Sequence, residues 1–468
     1  MGEKMWKLPA GLGNGVCLFV LGMILQLSVG PFQWPWLASP VNGIVLLLLL
    51  CVIGLFYFLR EKVWDCGWMM TGEAACSSLI WTLCLMLVMG LVPQVPEGGI
   101  SRLSQMLTFW PFVLLWSWTM LVLGLNTLRL LTHFQWADLP LILVHLGFFA
   151  AVVAAALGSA GRQELEMTVA QGRSEWRALN ENSEEVLPGF TVELHTFTID
   201  FHENHMPKRY ASDITVTTKD GKTVRGTVEV NKPLRADGWN IYQYAYDDTD
   251  DSGNPSSIFL LVKDPWLPGV YAGIYLMLAG ALGLVFARTG RRSKKSLLVS
   301  VVLMLLAAVF VYLFTPLIRV KMLMPALQSP WFAPHVIVYM FAYALMTAAT
   351  LMALYVLVFR RNKSVEKEMN VTDNLVYAGF AFLTFGMLFG ALWAKEAWGH
   401  YWGWDPKETW AAITWLCYLL YIHFRLIRPQ DGKTACRILL VAFVCLITCW
   451  WGVNYLPSAR GLSDHTYN

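Results

Sequence analysis

A chain of 468 residues that is 56% hydrophobic and only 14% charged, with its apolar residues in long uninterrupted runs, is a polytopic membrane protein and not a soluble globule. A net charge of +3 is too small to hold nucleic acid, and no nucleic-acid partner is expected. The nine cysteines lie in apolar runs or short basic loops without a CxxC, which reads as small buried hydrophobes and not as a disulfide framework.

Crossing ~30 Å of hydrocarbon takes roughly twenty helical residues. By that ruler spans are expected near 12–30, 40–59, 75–92, 107–128, 139–159, 266–287, 297–315, 335–359, 372–394, 410–427 and 437–453. That is about eleven, an odd number, which puts the termini on opposite faces. Lys4 and Lys7 precede the first run and no small-residue cleavage site follows it, so the first span is expected to be retained. The loops that alternate with these lysines carry most of the basic residues: Arg60 to Lys62, Arg129, Arg288 to Lys295, Arg360 to Lys367 and Arg425 to Arg437. The positive-inside rule assigns them to the cytoplasm, so the chain is expected N-in and C-out among the membrane lipids.

Segment 161–264 is polar and free of cysteine, and it alternates as strands do in FTVELHTFTIDF and DITVTTKDGKTVRGTVEV, with a turn signal at Asp220-Gly221. It is expected to form a β-rich extracytoplasmic domain, with the return to the membrane at Trp266.

The stretch WGHYWGWDPKETW, Trp398 to Trp410, packs four indoles around Gly399 and Gly403. Interfacial aromatic belts scatter along a sequence, whereas this concentration reads as a platform for a flat ligand, with glycines permitting close approach. Asp405 and Glu408 have a structural reading of their own, an N-cap and capping-box glutamate around a proline at the first helical position. Histidines inside spans are costly without a partner or a ligand. His145 and His423 fall inside the fifth and tenth spans, while His335 opens the eighth and His465 lies in the tail beside the tryptophan loop. Facing imidazoles across a flat aromatic ligand are how proteins hold haem iron on both axial sides. His195, His202 and His205 read as surface residues of the β domain, His133 as a cytoplasmic loop residue, and His400 as a bystander within the loop.

The signature WGxxWxWDxxE, here Trp398, Gly399, Trp402, Trp404, Asp405 and Glu408, resembles that of the haem-handling membrane proteins that build c-type cytochromes. KETWAAITWLCYLLYIHFR, LQSPWFAPHVIVYMFAYA and GVNYLPSARGLSDHTYN are similar to segments of the system II synthases of the CcsA (ResC) type. Upstream, LMLVMGLVPQVP, FWPFVLLWSWTMLVLGLNTLRLL, LPLILVHLGFFAAVVAAALGSA and VEVNKPLRADGWNIYQYAYD resemble their CcsB (ResB) partner. The whole looks like a CcsB–CcsA fusion over most of residues 75–468, shorter than the large fused synthases and with two first spans that have no counterpart.

That resemblance implies a holocytochrome c synthase in the bacterial inner membrane. Haem b, as transported ligand, is held within the membrane by His145 and His423. It passes to an outer site between His335 and His465 against the tryptophan loop, and is joined there to the CxxCH of an apocytochrome c. Thiol-reducing proteins of the maturation pathway are implied as further partners. No acid or base at the reacting atoms is identifiable. The implied division is two unassigned spans (1–74), ResB-like spans (75–160), the β domain (161–264), linking spans (265–334) and a ResC-like region (335–468). A b-type electron-transfer protein with two permanent haems is a rival reading, disfavoured by one pair lying outside the bundle. A transporter of another flat or lipidic ligand is the third.

Overall fold

The computed structural model describes residues 8–63, 67–94, 102–247, 255–286, 294–320, 324–360 and 364–459. Its helices fall where the twenty-residue ruler expects them. In chain order they are α1 (Leu8–Ser28), α2 (Val41–Leu59), α3 (Gly72–Leu91), α4 (Trp110–Thr132), α5 (Leu139–Gly158), α6 (Leu267–Phe286), α7 (Lys294–Val320), α8 (Phe332–Phe359), α9 (Glu366–Trp398), α10 (Pro406–Ile427) and α11 (Gly432–Trp450). Among the described residues ten are long and apolar enough to cross a membrane. The remaining one, α7, has a shorter apolar stretch, Val301–Leu317, at the expected seventh span.

Local chemistry sets the helix ends. Thr71 caps α3 by accepting from Ala74 N, and Pro111 sits in the first turn of α4, where a missing N–H costs nothing. The helix α9 has 33 residues, about 50 Å at 1.5 Å per residue, so it outlasts the hydrocarbon and carries Lys395 and Glu396 toward one end of the bundle. It stops at Gly399, whose φ of 82° is the left-handed conformation that glycine adopts without a Cβ penalty. The centre of the bundle belongs to this helix, which buries 67% of its apolar stretch, whereas α2 buries 11% and stands at the periphery.

The β domain has strands β1 (Gln163–Ala170), β2 (Ser174–Glu175), β3 (Ala178–Leu179), β4 (Glu185–Val186), β5 (Phe190–Phe201), β6 (Pro207–Thr218), β7 (Thr223–Glu229), β8 (Leu234–Ala236), β9 (Trp239–Asp247) and β10 (Ser256–Lys263). They form two antiparallel sheets, ordered β4-β3-β1-β10-β9-β8 and β2-β5-β6-β7. Alternation places Val192, Leu194, Ile214 and Val216 inward against Met167, Ile241, Phe259 and Leu261, all fully buried or nearly so. Asp220-Gly221 turns β6 into β7, with Thr218 N donating to Lys222 O. The domain is docked on the bundle. Gly399 lies against Val262, Tyr242 and Leu260, Asn231 Nδ2 donates to Pro325 O at 2.7 Å, and Gln328 Nε2 donates to Lys208 O at 2.9 Å.

Candidate functional site

His145 and His423, 278 residues apart in the chain, line the same cavity of about 550 Å³ between α3, α4, α5, α9 and α10. Each imidazole bonds one turn back along its own helix. His145 Nδ1 lies 2.8 Å from Leu141 O, and His423 Nδ1 lies 2.9 Å from Leu419 O. A carbonyl oxygen only accepts, so both Nδ1 atoms carry the proton and both Nε2 atoms keep a lone pair. Such a backbone bond from the remote nitrogen is what fixes the tautomer of metal-ligating histidines. The cavity changes character along its length. Its deep end is aromatic, with Trp415 between Phe148 and Phe380 at centroid distances of 5.1 and 5.2 Å. Its rim, where α4 ends and α5 begins, carries Asn126, Arg129, His133, Gln135 and Asp138. His133, expected as a plain loop residue, thus sits on the rim of the cavity.

At the opposite end of the bundle His335 is held by α9. Its Nδ1 is 2.8 Å from Gly386 O, and its ring lies where a Cβ on Gly390 would be, 2.8 Å from Cε1 and Nδ1. One turn on along α8, Tyr339 packs against Gly386 in the same way. The glycine pair, four apart, is therefore a groove for an imidazole and a phenol. A run of rings leads from it to the loop: His335 to Trp393 at 5.7 Å, Trp393 to Trp398 at 5.0 Å, and Trp398 to His400 at 6.3 Å. The segment leading into α8 is tied to α9 by Glu396, which accepts from Ser329 Oγ at 3.0 Å and Trp331 Nε1 at 2.9 Å. His465 lies outside the described residues.

The loop itself is not one wall. Trp398 faces the His335 side, whereas Trp402 and Trp404 pair edge to face at 5.8 Å, with Trp404 also against Trp116 of α4. Trp404 has φ 56°, a left-handed backbone conformation that costs a bulky residue ~1–2 kcal/mol. Trp402 Nε1 is buried and, among the described residues, has no hydrogen-bond partner. Asp405 is the N-cap of α10: Lys407 N donates to its Oδ1 at 2.6 Å, while Gly403 N and Asp405 N donate to Glu408 Oε2 at 2.8 and 3.3 Å. Both carboxylates are thus spent on backbone amides. Trp410 is a core residue that donates to Gly90 O at 3.0 Å. Burial pushes the Tyr401 phenol up to about 12, so it is a neutral donor at physiological pH.

Residues 135–260 match the family described as ResB-like, and residues 269–459 match that described as cytochrome C assembly protein. One chain thus joins a ResB-like region to a cytochrome c assembly region. Curated relatives of its second part are cytochrome c biogenesis proteins CcsA. One from Chlamydomonas reinhardtii is 42% identical over 154 residues, covering 31% of this chain and 42% of the relative. Those from Prochlorococcus marinus and Solanum lycopersicum are 38% and 34% identical, each covering 31% of this chain and 56% and 57% of the relative. The chain therefore spans about half the length of the curated relatives it matches.

The inner cavity draws on both matched regions and on α3 and α4, which precede them. His145 and Phe148 come from the ResB-like region, while Phe380, Trp415 and His423 come from the assembly region. The outer elements divide likewise: His335 and the loop are assembly residues, and the strands that cover Gly399 are in or beside the ResB-like match. Reading the sequence did not single out Gly386, Gly390, Trp393 or Glu396, and it took Arg129 only as a basic residue of a cytoplasmic loop. The glycines leave a signal, FGMLFG, which is the small-xxx-small spacing of close helix approach. Trp393 and Glu396 carry none that distinguishes them from ordinary span-end residues.

Proposed function

We propose that this chain moves haem b from the cytoplasmic side into the inner cavity, where His145 and His423 hold it, and on to an outer site at His335 and His465 beside the tryptophan loop. There it is presented for covalent attachment to an apocytochrome c. The observation that carries the reading is the matched pair of imidazoles on one cavity, each with its Nδ1–H given to its own helix and the lone pair of its Nε2 left for a ligand. The cavity volume is of the size of sites that take cofactor-sized ligands, and its floor is aromatic. The ring series from His335 to Trp398, the buried Nε1 of Trp402 and the docked β domain support a second station at the other end of the bundle.

At the outer station each attachment adds a cysteine S–H across a haem vinyl group. The sulfur bonds to the carbon next to the ring and the proton goes to the terminal carbon, so the addition is redox-neutral. The chain's part is positioning, because the reacting groups are an added thiol and a vinyl edge that must meet in one geometry. Asp405 and Glu408 serve by fixing the loop through its capping box. The N-in, C-out orientation in a bacterial inner membrane, the division into ResB-like spans, β domain and ResC-like region, and thiol-reducing partners belong to the same proposal. Residues 1–74 remain two peripheral spans in it.

Expression with a c-type reporter, in cells lacking their own maturation system, tests the reading. Covalent haem on the reporter is expected, together with a low-spin six-coordinate spectrum of the purified chain. A folded, homogeneous preparation that is haem-free from haem-replete cells would refute every haem reading. Haem-bound protein without covalent reporter would favour a b-type electron-transfer protein.

A further inference from the structure

We infer that Arg129 recognises the anionic edge of the ligand in the inner cavity, so that this site selects tetrapyrroles with free propionates and holds them propionates to the rim, vinyls to the aromatic floor. The inference rests on the reading that this cavity takes haem. The cavity's own polarity carries it. Along α4, Thr119, Val122, Asn126 and Arg129, followed by His133 at its C-cap, line one side from floor to rim, a run of about 15 Å between Thr119 and Arg129 at 1.5 Å per residue. Among the described residues no charged group stands beside Phe148, Phe380 and Trp415 at the floor, and Arg129 is the only guanidinium that lines the cavity.

Arg129 is pinned where a ligand's edge would lie. Its Nη1 donates to Met70 O at 2.8 Å, and Asn126, one turn back, donates to Met69 O at 3.4 Å, so the residues before α3 hold both side chains. That bond uses one of the five N–H donors of a guanidinium, and among the described residues Arg129 has no ion pair. A planar fork with spare donors at the mouth of an apolar cavity suits a carboxylate, which it can take in two parallel bonds. The other ionisable rim residues are His133 and the carboxylate of Asp138, which bears no capping bond to α5. A negatively charged ligand edge must therefore settle by Arg129 and away from Asp138. Held so, the vinyl edge points into the membrane, ahead of the propionates on the way to the outer station.

The test uses the full-length chain with His335→Ala, which weakens the outer site, titrated with protohaem IX or with its dimethyl ester, whose carboxylates are capped. The low-spin Soret signal gives an apparent Kd for each. The parent is expected to bind haem about tenfold more tightly than the diester, and rising salt should narrow the gap. Arg129→Gln should weaken haem about tenfold while leaving the diester within about twofold, so that the ratio falls toward one. Arg129→Lys should keep part of the preference, and Asp138→Asn should leave haem binding unchanged or tighter. A folded Arg129→Gln protein that discriminates as its parent does would overturn the inference and reduce Arg129 to an interfacial anchor. His423→Ala separates the two levels of failure. If it leaves the titration unchanged, the cavity is not the haem site and the reading beneath the inference falls with it.

Discussion

Replacing Gly390 with alanine should disable the outer station without unfolding the protein. A Cβ there would stand 2.8 Å from Cε1 and Nδ1 of His335, and ordinary contact begins at 3.4 Å, so the imidazole must retreat by at least 3.4 − 2.8 = 0.6 Å. The obstacle is a ring held by its 2.8 Å bond to Gly386 O, not the free end of a flexible chain, so the retreat weakens that bond, worth about 0.5–1.5 kcal/mol. Glycine to alanine inside a helix returns about 1 kcal/mol of helix propensity, which leaves net stability near neutral. The ligand geometry has no such compensation: a loss of ~1 kcal/mol in placing one axial imidazole lowers outer-site occupancy about fivefold. Displacements of this order can also cost attachment up to ~100-fold through misalignment. Haem per purified protein, reporter maturation and the thermal midpoint should be measured together, with Gly43→Ala as the control because no described residue lies within 4 Å of its Cβ position. A folded Gly390→Ala protein with normal haem and maturation would show that the glycine groove does not place His335 for function.

The histidine variants should differ in kind: imidazole added to His335→Ala should restore maturation, whereas His145→Ala and His423→Ala should carry less haem and recover only in part, read by haem content with and without imidazole. Unchanged haem content in His145→Ala and His423→Ala would end the relay. Trp402→Ala and Trp404→Ala each remove ~150–250 Å² of aromatic surface and should lower outer haem occupancy. Asp405→Asn keeps a competent cap and should be mild, while Asp405→Ala should cost about 0.5–2 kcal/mol in the thermal midpoint. If Asp405→Asn abolishes haem in a folded protein, the capping account of that residue is wrong. Tyr401 holds its proton to about 12 when folded and loses it near 10.0 when unfolded. Between those values the unfolded state binds fewer protons, so its contribution to stability is intact below pH 10 and falls as pH rises beyond it. Tyr401→Phe should flatten that decline in a denaturation series.

Much of the fold was legible because the bilayer imposes a one-dimensional rule. A helix must be about twenty apolar residues long, and a sequence displays that directly, as the match of Val41–Leu59 to the expected 40–59 illustrates. The β domain was legible by its period of two, and the capping box at Asp405 and Glu408 because its partners are three residues apart. That His145 and His423 line one cavity could be suggested by residue type but not established, since it depends on how α5 and α10 are rotated about their axes. The sequence grouped the four indoles, but the left-handed backbone at Trp404 and the end of α9 send Trp398 toward His335 and Trp402 with Trp404 toward Trp116. Gly390 and Arg129 acquire meaning only from neighbours far away in the chain, an imidazole 55 residues upstream and a cavity closed by helices from both halves of the chain. Length and period are properties of one segment and survive in its sequence. The meeting of side chains across helices is a property of packing, in which each helix's depth, tilt and rotation are set by all the others at once.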